Sequence, residues 1–243
     1  MAVLFSGGMD STLIASIAVD LYGKDNVFLI WSDAMFCDNN SQMKQVIKHN
    51  VETVANYLGM RIFYVPVDYE YFKINPLLSQ RDAWMDAQKV LKFDHIAMGM
   101  TAMFWDIIPL QEMTRAEILN YCNADRKKHH ALIEQWHMDT DTYTEHLKMK
   151  IHPDVCAWLE ENIGKQFHFP LGTLHKEEIV DLYYKLGKED LLYHTISCME
   201  GNGEHCGKCW NCQNRYDGHD INGIEDRTVY NSNLIKERRA RIK

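Results

Sequence analysis

The chain has 243 residues, of which 46% are hydrophobic and 25% charged, so it can bury a full core and we expect one main domain with a small appendage. Its first residues do not have a secretory signal pattern, and no apolar run approaches the roughly 18 residues that cross a bilayer. Neither secretion nor membrane insertion is therefore indicated, and we expect a cytoplasmic protein. Its formal net charge of -8 argues against a general nucleic-acid binder.

Short apolar segments predict the strands of a parallel sheet, because strands buried on both faces are brief and nearly continuous in apolar residues. Helical patterns with a period of about 3.6 residues separate the first four segments. The strand segments are residues 2–5, 27–31, 62–67, 95–100 and 167–171, and the helical segments are residues 11–23, 40–59 and 80–93. This alternation predicts an α/β fold with a doubly wound, five-stranded parallel sheet that binds ligands at the carboxyl ends of its strands.

The domain organisation follows from breaks in that alternation. Residues 1–185 are predicted to form the main α/β domain. A segment at about 105–164 is rich in His, Lys, Glu and Asp, and predicts a helical insertion into this domain. Residues 186–243 are predicted to form a C-terminal lobe with a tail, and this lobe contains a cluster of cysteines.

The segment SGGMDST, at residues 6–12, lies between the first strand and the first helix. Its glycines let main-chain N–H groups approach a ligand closely, its hydroxyl side chains add donors, and the helix predicted from about Ser11 directs the positive end of its dipole to the same point. We therefore predict an anion-binding loop. Its predicted ligand-binding residues are Ser6, Gly7, Gly8, Met9, Asp10, Ser11 and Thr12.

Asp10 would repel a bare phosphate, so its presence in this loop predicts a Mg²⁺ ion between carboxylate and phosphate oxygens.

The motif S-G-G-x-D-S after the first strand resembles the PP-loop of the ATP pyrophosphatases, which have the adenine nucleotide alpha hydrolase type of fold. The resemblance implies that the loop holds the β- and γ-phosphates of ATP, which leave as pyrophosphate while AMP is transferred to a substrate oxygen. It also implies catalytic roles for Asp10 and Ser11.

Four of the seven cysteines lie within one short stretch that is also rich in glycine. Two overlapping C-x-x-C steps and one earlier cysteine give four thiolates that can surround a structural Zn²⁺ ion. An iron–sulfur cluster uses the same ligands and is the alternative. The predicted metal ligands are Cys198, Cys206, Cys209 and Cys212.

The cysteine pattern C-x7-C-G-x-C-x2-C, followed by Arg215, resembles the zinc motif of the 7-cyano-7-deazaguanine synthase family, the QueC family. The preceding segment FPLGTLHKEEIVDLYYKLG resembles the same family, and the similarity covers residues 1–35 and about 167–218. It implies a ligase that adenylates 7-carboxy-7-deazaguanine and uses ammonia to form the nitrile, releasing AMP and pyrophosphate. It further implies ATP, Mg²⁺ and Zn²⁺ as cofactors and Lys176 as a catalytic, phosphate-facing lysine. A homodimer is a separate hypothesis for the assembly.

The middle of the chain departs from this family, because the V-P-G-R-N and S-G-Y-P-D-C elements of the family are not recognisable in this sequence. Candidate acceptor-binding side chains in this region follow the third predicted strand and flank the fourth, at the expected binding crevice. Each of them has packing or surface exposure as its alternative role. They are Arg81, Trp84, Phe104, Trp105, Asp106 and Glu112. For Asp106 and Glu112, binding of Mg²⁺ is a further alternative.

Three alternatives therefore remain open at the level of sequence. The chain is a related enzyme that converts a different carboxylate to an amide or a conjugate, or a tRNA thiolation enzyme in which Cys37 carries sulfur. The third alternative is a nucleotide- and zinc-binding partner protein without catalytic activity. Pyrophosphate release on adding ATP and carboxylates separates the enzymes from the binding protein.

Overall fold

The computed structural model describes residues 1–32, 41–66, 76–99, 167–168, 170–171, 174, 176–198 and 204–232. Strands and helices alternate along most of this part of the chain. The strands are β1 (Ala2–Leu4), β2 (Phe28–Ser32), β3 (Ile62–Val65), β4 (Ile96–Met98) and β5 (Phe167–His168). The helices are α1 (Met9–Tyr22), α2 (Ser41–Tyr57), α3 (Pro76–Leu91), α4 (Lys176–Lys185), α5 (Glu189–His194) and α6 (Trp210–Ile221), with a 3-10 turn at Lys24–Asn26.

Within the described residues the strands form one parallel sheet in the order β3-β2-β1-β4-β5. The central strand β1 pairs with β2 on one side and with β4 on the other, with Val3 opposite Leu29 and Ala97. The order reverses direction at β1, and in open α/β sheets this switch point is where a crevice forms at the carboxyl ends of the strands. The loop that follows β1 lies at this switch point.

Two apolar cores cover the two faces of the sheet, as a doubly wound arrangement requires. The larger core includes Leu13 of α1, Val51 of α2, Ile179 of α4 and Leu192 of α5, all completely or almost completely buried. The smaller core lies under α3 and includes Trp84. The sheet is therefore enclosed by helices on both sides, which explains why its strands are so continuously apolar.

Helix α6 packs against α4. A Cβ atom at Gly218 of α6 would lie 3.0 Å from the carbonyl oxygen of Lys176, at the start of α4. This close approach requires a glycine, since any side chain would push the two helices apart. Helix α6 thereby lies against the first turn of α4.

The prediction of an α/β fold with a parallel sheet is confirmed, and each predicted strand segment overlaps a strand of the described residues. The predicted insertion at 105–164 lies outside the described residues, as does most of the tail. The first helix begins at Met9 and not near Ser11 as predicted, because Gly8 takes the extended backbone of an N-cap residue (φ -77°, ψ 169°). In the described part of the chain, no helix is both long and apolar enough to cross a membrane.

Candidate nucleotide-binding site and metal centre

The loop after β1 makes a sharp turn at Gly7, where φ is +74°. A Cβ atom at this position would lie 3.3 Å from the carbonyl oxygen of Asn50 and from the backbone of Val51, both in α2. Both the positive φ and the close approach of α2 favour glycine here. Gly7 therefore folds the chain back over α2 and directs the following residues into the first turn of α1.

Ser11 fixes the shape of the loop through its hydroxyl group. Its Oγ accepts a hydrogen bond from the N–H of Ser6 at 3.1 Å and lies 3.1 Å from the Ser6 Oγ. The first α-helical bond of α1 runs from the N–H of Thr12 to the carbonyl of Gly8 at 3.1 Å. The N–H groups of the preceding helical residues are left without intrahelical partners and form, with the helix dipole, a site for an anion.

Asp10 and Lys176 form an ion pair at the mouth of this loop, although 166 residues separate them in the chain. Asp10 lies in the first turn of α1, Lys176 is the first residue of α4, and about one fifth of each side chain is exposed. The ion pair uses Oδ2 of Asp10, while Oδ1 is buried and has no hydrogen-bond partner among the described residues. A buried carboxylate oxygen with spare bonding capacity is a ligand that suits Mg²⁺.

Met9 contributes to the loop through its backbone, because its side chain is only 2% exposed and packs in the larger core. Its carbonyl oxygen accepts a hydrogen bond of 2.7 Å from the hydroxyl of Tyr183 in α4. Burial, with the nearby charge of Asp10, holds the pKa of Tyr183 well above its ordinary value, so this hydroxyl keeps its proton and stays a donor. No sequence pattern predicts this contact, since Tyr183 is one of two adjacent tyrosines in an amphipathic helix and lies 174 residues from Met9.

Gly99, directly after β4, supports the loop from the other side. A Cβ atom at Gly99 would lie 2.6 Å from the backbone nitrogen of Ser11 and 3.0 Å from the carbonyl carbon of Asp10. Both atoms belong to the backbone, so neither can move away without shifting the first turn of α1. Glycine at this position lets β4 and α1 meet at the switch point of the sheet.

We expect Gly99→Ala to lower stability by about 2 kcal/mol, because an added methyl group in a well-packed site forces backbone shifts. The comparison is Gly8→Ala, since a Cβ atom at Gly8 would only reach van der Waals contact with the Ser6 Oγ at 3.5 Å. Thermal unfolding of both variants measures the difference. A melting temperature for Gly99→Ala equal to that of Gly8→Ala would show that the contact with α1 is not tight.

Four cysteine sulfurs converge in the C-terminal lobe, and this is the one such cluster of candidate ligands in the described part of the chain. All four Sγ atoms lie within 4.8 Å of one another, and the pairs 198/209 and 206/212 are each 3.9 Å apart. Around a single Zn²⁺ with Zn–S bonds of about 2.3 Å, the edges of the tetrahedron are about 3.8 Å. The residues therefore fit one ion held by all four sulfurs.

Backbone N–H groups point at the sulfurs of this cluster. The N–H of Cys206 donates to the Sγ of Cys198 at 3.4 Å, and the N–H of Cys209 donates to the Sγ of Cys206 at 3.3 Å. Gly207, with φ +69°, supplies the turn between them. Hydrogen bonding to Cys198 raises the pKa of Cys209 to about 11.

Among the candidate acceptor-binding residues, the structure describes only the side chain of Trp84. Trp84 is 6% exposed and belongs to the smaller core, so it packs under the sheet. The other candidates have side chains that lie outside the described residues, as does Cys37. They are Arg81, Phe104, Trp105, Asp106 and Glu112.

A parallel α/β sheet with a glycine- and serine-rich loop at its switch point is compatible with a nucleotide-binding protein of the PP-loop type. The family model for the queuosine biosynthesis protein QueC matches residues 141–223, which include Lys176 and the four cysteines. A 7-cyano-7-deazaguanine synthase from Nitratiruptor is 41% identical over 234 residues, covering 95% of this chain and 98% of that protein. The chain belongs to the QueC family.

Two further relatives show how the similarity is distributed. The 7-cyano-7-deazaguanine synthase of Nautilia profundicola is 25% identical over 234 residues, with 94% of this chain and 96% of the relative covered. The enzyme of Saccharolobus solfataricus is 46% identical over 61 residues, which are 25% of this chain. That match spans only 13% of the length of the Saccharolobus protein.

Proposed function

We propose that the chain is an ATP-dependent ligase that converts 7-carboxy-7-deazaguanine and ammonia to 7-cyano-7-deazaguanine. The observation that carries the proposal is the convergence of Asp10 and Lys176 on the loop after β1. This arrangement supplies a cation for phosphate and a carboxylate for Mg²⁺ beside a helix N-terminus. The names of the relatives that match along nearly the whole chain supply the substrate class.

The proposed reaction needs each part of the loop. N–H groups of the first turn of α1 hold the departing pyrophosphate, and Ser6 and Ser11 orient it through their hydroxyls. Lys176 exchanges its contact with Asp10 for a phosphate oxygen when ATP binds, which leaves the Asp10 carboxylate available for the metal. A Mg²⁺ ion held by Asp10 would neutralise charge on the phosphate oxygens.

The proposed reaction activates the acceptor twice, first as a carboxylate and then as an amide, and each activation consumes one ATP. In the first, a carboxylate oxygen of the acceptor attacks the α-phosphorus of ATP, pyrophosphate leaves, and ammonia then displaces AMP from the acyl adenylate to give the amide. In the second, the amide oxygen attacks a second ATP and pyrophosphate again leaves. Loss of AMP and protons then gives the nitrile, so one acceptor and one ammonia consume two ATP.

The four cysteines are proposed to hold a structural Zn²⁺ ion, which would cross-link the lobe and leave no coordination position for a substrate. Their thiol form, without disulfides, supports a cytoplasmic location. A homodimer is likewise only a proposal, and light scattering of the purified protein measures the oligomeric state.

The test is to incubate the purified protein with ATP, Mg²⁺, ammonium and 7-carboxy-7-deazaguanine, and to identify the products by mass spectrometry. We expect AMP, pyrophosphate and the nitrile. A reaction with benzoate in place of the deazaguanine is the control for the acceptor. Formation of ADP and phosphate would contradict the loop assignment, whereas AMP formation with another carboxylate alone would contradict the acceptor.

A further inference from the structure

Residues 195–198 connect the loop after β1 (residues 6–12), called the nucleotide loop below, to the cysteine cluster. The N–H of Ile196 donates a hydrogen bond of 3.0 Å to the carbonyl oxygen of Gly7. Two residues later, Cys198 supplies one of the four sulfurs. A single short segment therefore joins the two sites that the sequence suggested separately.

Arg215 of α6 holds this segment in place. Its side chain is fully buried, and one terminal nitrogen, Nη1, donates to the Thr195 Oγ1 at 2.7 Å. The other, Nη2, donates to the carbonyl of Leu192 at 2.8 Å, and Nε donates to the Thr228 Oγ1 at 2.7 Å. A buried guanidinium has to satisfy its donors in a fixed fork, so these contacts fix the end of α5 relative to the residues that follow it.

The bond from Ile196 determines how the loop presents its next N–H group. In a trans peptide the carbonyl and the following N–H point in opposite directions. Because the carbonyl of Gly7 faces Ile196, the N–H of Gly8 points away from residues 195–198. The proposed function requires that N–H groups of this loop face the phosphates.

We propose that Arg215 is a positioning residue for ATP, which acts by fixing residues 195–198 and, through the Ile196 N–H, the peptide between Gly7 and Gly8. Because its side chain is fully buried and bonded to protein atoms, Arg215 is proposed to act without contacting ATP. The proposal rests on the proposed function for the identity of the nucleotide. It assigns to the C-terminal lobe an effect on ATP binding that is separate from its effect on stability.

The first test is the pair Ile196→Pro and Ile196→Ala. Both remove the isoleucine side chain, but only proline removes the N–H donor. Thr195 already has an extended backbone (φ -73°, ψ 143°), as a residue before proline requires. We expect Ile196→Pro to bind a non-hydrolysable Mg–ATP analogue about tenfold more weakly in calorimetry, as for the loss of one hydrogen bond, while Ile196→Ala binds it like the unchanged protein.

Arg215→Lys keeps the charge but not the fork of donors. We expect its KM for ATP to rise about tenfold with an unchanged KM for the acceptor and a full metal content, since the loss of one or two hydrogen bonds is of that order. If Arg215 had a purely structural role, Arg215→Lys would lower the melting temperature and change neither the KM for ATP nor the KM for the acceptor. That result would overturn the assignment of Arg215.

Hydrogen exchange on the unchanged protein provides a test that needs no variant. Adding the Mg–ATP analogue is expected to slow exchange at residues 195–198 together with residues 6–12. Slower exchange at 6–12 alone, or equal binding by the two Ile196 variants, overturns this proposal and leaves the proposed function standing. Failure of the unchanged protein to bind the analogue overturns the proposed function itself.

Discussion

Replacing Asp10 with asparagine is expected to abolish pyrophosphate release while the protein stays folded. Asparagine has nearly the same size, so the first turn of α1 is kept, but the charge that pairs with Lys176 and would hold Mg²⁺ is lost. The loss of one preorganised electrostatic group costs roughly 100- to 1000-fold in rate. A coupled pyrophosphate assay with ATP and the acceptor measures it, and circular dichroism checks the fold.

The matched control is Asp20→Asn at the far end of the same helix. Asp20 also forms an ion pair, with Lys188 at 2.7 Å, but it is 57% exposed. The same chemical change there should leave both activity and stability nearly unchanged, because exposed ion pairs contribute little. Full activity in Asp10→Asn would remove Asp10 from the mechanism.

Cys209→Ser is expected to lose the metal ion and to unfold at a much lower temperature. Binding of a structural Zn²⁺ ion contributes directly to the free energy of folding, and the loss of one of four ligands weakens that binding. A loss of about 3 kcal/mol corresponds to a fall of about 10 °C for a chain of this size. Elemental analysis gives the metal content, and calorimetry gives the melting temperature.

The control for this variant is Cys122→Ser, which removes a cysteine outside the cluster and should leave one zinc per chain. Zinc that stays bound in Cys209→Ser would contradict the four-sulfur site. If the unchanged protein contains iron and sulfide and no zinc, the four cysteines bind an iron–sulfur cluster and the zinc assignment is wrong.

The sheet could be predicted because its strands are buried on both faces and are separated by amphipathic helices. Gly23 and Gly59, which end the first two predicted helices, both have a positive φ in the structure (+78° and +63°). The sequence predicts a start of α1 near Ser11, whereas the helix begins at Met9. In the structure the Ser11 hydroxyl accepts a bond from the N–H of Ser6.

Local spacing predicted the convergence of the four cysteines, which the structure brings together, whereas the anion-binding role of the SGGMDST loop stays a prediction. Contacts between distant segments were not predictable, because no pattern in a single sequence pairs Ile196 with Gly7 or Tyr183 with Met9. Gly99 offered a weak signal, since a glycine directly after a strand often marks a close backbone approach. The segment around Trp84 was ambiguous because aromatic residues serve both in cores and in binding sites.

The supports of the nucleotide loop lie far from it in the chain, and this has a consequence for folding. Tyr183 and Lys176 follow the loop by more than 160 residues, and Ile196 comes later still. During synthesis the loop leaves the ribosome long before these partners exist, so a nascent chain of the first three strands has no completed nucleotide site. Contacts with such large sequence separation also slow folding, because a long loop must close before they form. We therefore expect the proposed nucleotide site to be completed late in the folding of this protein.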